Sequence, residues 1–149
     1  MAMFRYSGCG LKNVWLQNGY VERKTPYGKA VAIQDVEGLH RAIALHIIRN
    51  KPRLSGAEFR FLRKELDLSQ TGLGQMFGFE GQTVAIWEKK GNVPKLADRA
   101  IRAFYRETVE GNVSFKDIVE RLNDMDRVNY ERSKVVMRET GKGWQAKAV

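Results

Sequence analysis

One cysteine in 149 residues, two histidines and no long apolar run are the scarcities of this chain, and each closes off a class of protein. A lone Cys9 excludes an internal disulfide and an all-cysteine zinc site within one chain. His40 and His46 stand six residues apart on a segment read below as helix, so they do not share a face as metal ligands at spacing three or four would. No metal or cofactor is therefore expected. The longest apolar stretch, residues 43 to 48, contains His46 and falls far short of the roughly 18 to 20 residues of a membrane helix. The first residues lack a basic region followed by an apolar run and a small-residue cleavage site, which predicts a cytoplasmic protein with no membrane partner. With no Ser/His/Asp set, no phosphate loop and no carboxylate pair in apolar surroundings, an enzyme is not expected.

What the chain does have is positive charge. Lys and Arg number 26 against 17 Asp and Glu, a formal +9, while 43% of the residues are hydrophobic, enough for a buried core. The excess is uneven: residues 1 to 53 carry +6, 54 to 108 carry +2, 109 to 129 carry −2 and 130 to 149 carry +3. Basic flanks around a nearly neutral centre point first to a polyanion as partner.

Local patterns divide the chain in the same places. Val14-Trp15-Leu16, residues 20 to 23 and residues 30 to 33 are β-rich stretches. The turn signals Asn18-Gly19 and Thr25-Pro26-Tyr27-Gly28 separate them, which predicts a hairpin or small meander. Asp35 can cap a helix with Leu39, Ile43 and Ile47 at spacing four, ending by Asn50 ahead of Pro52. Lys51-Pro52-Arg53 reads as a short linker. From Ser55 to Arg106 the pattern is helical, with breaks at Asp67-Leu68, Gly78 and residues 91 to 94. Ser114 and Asp117 suggest a capping box before Phe115, Ile118, Val119 and Leu122, hence one more helix. Residues 134 to 138 and 144 to 146 flank Thr140-Gly141-Lys142-Gly143, a hairpin signal. The expected architecture is α+β: a basic β-plus-helix unit over 1–53, an all-helical domain over 54–108, and a C-terminal helix and hairpin over 109–149.

Residues 68 to 91, LSQTGLGQMFGFEGQTVAIWEKKG, carry the functional signal. Ser69 suits the N-cap of a short helix that buries Leu73, Met76 and Phe77. Gly78 suits a left-handed terminator, and a second helix begins near Gln82. Two helices about such a turn can present the second to a DNA major groove. Leu68-Ser69-Gln70, Leu73, Gly78, Gln82-Thr83-Val84, Trp87-Glu88, Gly91 and Pro94 together resemble the helix-turn-helix of the xenobiotic-response-element family of bacterial and phage regulators, akin to the lambda-type repressors. The match spans roughly residues 55 to 106.

That resemblance implies a role for each matching position. Gln70 would meet a backbone phosphate together with its helix N-terminus. Gln82 would be the main base reader, its amide pairing with adenine N6 and N7 for about 1 to 3 kcal/mol of discrimination. Thr83 would add a phosphate or base contact, Ala85 and Ile86 would pack on thymine methyls, and Lys89 and Lys90 would touch phosphates. Glu80 replaces the usual Ser or Thr cap, favouring the helix dipole while repelling a nearby phosphate. Gly81 and Ile86 stand where polar base readers are frequent. Val84 and Trp87 would face the core, and Arg63 and Glu88 would form a structural ion pair. Gly72 and Gly74 replace better helix formers, a cost of about 1 to 2 kcal/mol that packing must offset.

The implied function is a sequence-specific regulator of transcription, a repressor that binds double-stranded DNA as a homodimer, with the terminal hairpin around Trp144 as a dimerisation element. Two alternatives use other residues. Ser7-Gly8-Cys9-Gly10, the small strands and the following helix, placed before such a motif, resemble the layout of the MqsA-type antitoxins without their zinc cysteines. This implies a toxin protein as partner and autoregulation of the operon. Tyr6, Trp15, Tyr20 and Tyr27 amid basic residues are compatible with stacking on unpaired RNA bases.

Overall fold

The β-rich opening resolves into two separate antiparallel pairs in a computed structural model that describes residues 3–111, 117 and 134–147. Strand β1 (Phe4–Arg5) pairs with β2 (Trp15–Leu16), and β3 (Tyr20–Thr25) pairs with β4 (Gly28–Ile33). No meander forms: β2 pairs with β1, and β3 pairs with β4 alone. Asn18-Gly19, with Gly19 at φ +81°, turns the chain from β2 into β3 without pairing them. The two-residue strand β1 lacks a run of β formers and was not legible locally. The Pro26-Tyr27 turn closes β3 on β4 as expected, braced by the Thr25 hydroxyl donating to the Gly28 carbonyl at 2.6 Å.

Five helices are described, α1 (Val36–Asn50), α2 (Gly56–Glu65), α3 (Gln70–Phe77), α4 (Gly81–Lys90) and α5 (Lys95–Glu110). Asp35 caps α1, accepting from the Gly38 N–H at 3.1 Å, and the helix ends just before Pro52. A capping box that the sequence contains but local reading passed over opens α2. There the Ser55 hydroxyl accepts from the Glu58 N–H, and the Glu58 carboxylate accepts from the Ser55 N–H. Strands β5 (Met137–Glu139) and β6 (Trp144–Ala146) form the expected terminal hairpin, and every side chain on them is exposed. The helix expected from Ser114 through Leu122 lies, but for Asp117, outside the described residues. The fold is α+β.

One core joins what the sequence divides. Phe59, Leu62, Leu73, Val84, Val93, Ile101 and Phe104 are fully buried, and Leu11, Ala44 and Ile47 from before the linker belong to the same cluster. Met76 and Phe77 lie half-buried against it. Polar bonds fasten the chain on either side of the linker to α5, and the linker itself to the turn before that helix. Asp98, fully buried, accepts from the Leu54 N–H at 2.7 Å and from the guanidinium groups of Arg99 at 2.6 Å and Arg102 at 2.8 Å. Arg102 also donates to the Ile48 carbonyl, and Arg53 to that of Val93. Among the described residues, no helix is long and apolar enough to cross a membrane.

Candidate nucleic-acid interface

The pair α3 and α4 is positioned by caps, glycines and one ion pair. Ser69 caps α3 by accepting from the Gly72 N–H at 2.9 Å, and Gly78 ends it in the left-handed conformation at φ +80°. The turn folds so closely over α3 that a Cβ on Gly74 would strike the Phe79 carbonyl oxygen. Gly81 opens α4 directly against Thr71 of α3, again without room for a Cβ. Of the two glycines that propensity alone counts as weak points, Gly74 is where the turn closes on α3, while Gly72 lies over its own cap, Ser69.

Burial then fixes which way α4 faces. Val84 and Trp87 are buried, and the Trp87 ring meets Phe59 and Phe79 edge-on at centroid distances of 6.0 and 5.0 Å. The opposite face carries Gln82, Ala85, Ile86 and Lys89 at spacings of three, four and seven, one stripe along the helix. Gln82, Ile86 and Lys89 are exposed and Ala85 is half-exposed. Thr83, half-buried, and Lys90, exposed, flank the stripe, and Glu80 stands at the N-cap with no side-chain cap bond.

The ion pair expected between Arg63 and Glu88 is present and bidentate. Arg63 Nε donates to Glu88 Oε2 at 2.7 Å and Nη2 to Oε1 at 3.0 Å, with both side chains nearly buried. Arg63 Nη1 also donates to the Leu68 carbonyl at 2.8 Å, so one guanidinium ties α2 to α4 and to the start of the α3 segment. Gln70 turns inward: its Nε2 donates to Glu88 Oε1 at 3.2 Å. Of the residues singled out by sequence, Gln82, Ala85, Ile86 and Lys89 come together on the outer face. Gln70 and Gly81 are directed to Glu88 and Thr71 instead.

Beside this face runs a cleft of about 690 Å³ between the 7–10 loop, α2 and α4, whose lining includes Arg60, Lys64, Ala85 and Lys89. Arg60 and Lys64, exposed and one turn apart on α2, were not marked by any motif; the only available signal was their i, i+4 spacing on the polar side of an amphipathic helix. His40 lies at the rim and is engaged at both ring nitrogens. Its Nδ1 is 2.6 Å from Glu65 Oε1 and its Nε2 is 2.7 Å from the Tyr6 hydroxyl. A carboxylate only accepts, so Nδ1 carries a proton there, while Nε2 and the Tyr6 hydroxyl share the second hydrogen bond. Burial, with the nearby Cys9 and Glu65, raises the Tyr6 phenol above its ordinary value. Searches of protein-family models, curated proteins and solved structures return no match to this chain.

Proposed function

We propose that this protein is a sequence-specific, double-stranded DNA-binding regulator of transcription, a cytoplasmic repressor that works as a homodimer and inserts α4 into the major groove. The observation that carries the reading is the orientation of α4. Val84 and Trp87 hold it to the core while Gln82, Ala85, Ile86 and Lys89 form an outward stripe. A major groove about 12 Å wide admits such a helix, and the stripe offers an amide for adenine, small and apolar carbons for thymine methyls, and a cation for a phosphate. The Arg63 and Glu88 pair supports the reading because it fixes the angle of α4 without using any outward side chain.

Selection from a library of random duplex DNA tests it. An inverted repeat with half-sites about one helical turn apart is the expected product of a dimer. Gln82→Ala should lower affinity for that site about 5- to 150-fold, the equivalent of 1 to 3 kcal/mol, and relax preference at one base position. Unchanged affinity and unchanged preference in the variant would remove Gln82 from the reading.

A further inference from the structure

We propose that the cleft between the 7–10 loop, α2 and α4 seats a sugar-phosphate strand of the same duplex that α4 enters, so that the N-terminal segment forms one wall of the DNA-binding surface. This rests on the reading of α4 given above. The charge of the cleft is the first reason. Its lining contains two carboxylates, Glu65 and Glu88, and both are bonded inward, to His40 and to Arg63 with Gln70. Its cations Arg60, Lys64 and Lys89 have no acidic partner among the described residues. Arg60 and Lys64 also stand at i, i+4, where like charges repel along a helix. Three cations around one concave space, with Glu88 paired to Arg63 and Glu65 hydrogen-bonded to His40, complement a chain of phosphates.

The second reason is continuity. Ala85 and Lys89 belong both to the cleft lining and to the outward stripe of α4, so a strand bordering the groove that α4 enters passes directly into the cleft. A small free anion would need no such continuity. The third reason is that the outer wall is held in place. Tyr6, next in sequence to the 7–10 loop, is fastened through His40 to Glu65 at the end of α2. The His40 ring also meets Tyr6 at 5.8 Å and Phe61 at 5.6 Å between centroids. His40 is thereby a positioning residue, ordering the wall before DNA arrives.

The test uses the full chain and a random-sequence duplex of about 30 base pairs, roughly three helical turns. In a salt titration, Arg60→Ala/Lys64→Ala should make the slope of log affinity against log salt shallower by about 1.8, at about 0.9 for each phosphate that is no longer neutralised. The motif recovered from the random library should stay the same. Cys9, the only cysteine and part of the lining, reports on the cleft directly. Bound duplex should slow its alkylation by iodoacetamide several-fold, and salt sufficient to dissociate the complex should restore the rate. An unchanged slope, or alkylation undiminished on bound duplex, overturns the cleft and leaves the α4 reading intact. Wild-type protein that binds no duplex even at low salt overturns both.

Discussion

Asp98 combines complete burial with three donors, and its energetics follow from that arrangement. Burial pushes its carboxyl up, yet the Leu54 N–H and the Arg102 and Arg99 guanidiniums together outweigh burial and hold it below its ordinary value. A carboxyl lowered in the folded state adds stability that is fully present above the unfolded value of about 3.9 and is lost as pH falls from there through the folded value. Asp98→Ala should cost about 3 to 5 kcal/mol in urea denaturation at pH 7, because Arg102 and the Leu54 N–H lose their acceptor inside the protein. Between pH 5 and pH 2 wild type should lose stability more steeply than the variant; parallel pH profiles would contradict the assignment. The Arg63 and Glu88 pair was expected because the resemblance to the helix-turn-helix family implies it. The contacts of His40 with Tyr6 and Glu65 were not, since their partners lie 34 and 25 positions away and no local pattern marks them.

Among the elements, the helices were legible almost to their ends, because each carries its own stop and start: Asp35 before α1, Ser69 and Gly78 around α3, Gly91 and Pro94 between α4 and α5. Propensity misjudged what Gly74 of α3 does. Replacing Gly74 by alanine should gain about 1 kcal/mol in an isolated helix. In the folded protein the added Cβ meets the Phe79 carbonyl, a backbone atom that cannot swing aside. Gly74→Ala should therefore destabilise the protein by about 1 to 3 kcal/mol in thermal or chemical denaturation, the ordinary range for overpacking. A stabilised variant would show that the turn after α3 yields. The β elements were less legible for the opposite reason: β1 and β2 are two residues each, and their pairing is chosen by the chain around them rather than by alternation within them.

For the molecule as a whole, Lys51-Pro52-Arg53 marks a change of sequence pattern but no break in the interior. Ile47 of α1 is buried in the cluster that contains Val84 and Trp87 of α4. Ile47→Ala should cost about 2 to 5 kcal/mol, the usual range for truncating a buried isoleucine. If the core is one cooperative unit, amide exchange in α4 should accelerate along with exchange in α1. Faster exchange confined to α1 would show that the two segments open separately. The sequence by itself determined the helices, their caps, the inward face of α4 and the net positive charge, because these depend on residues within a few turns of one another. Only the tertiary structure decided that the N-terminal loop stands beside α2 and α4, that Gln70 turns to Glu88, and that Arg60, Lys64 and Lys89 share one cleft. Those outcomes depend on side chains distant in the chain that meet only when the common core closes, and no local periodicity encodes that meeting.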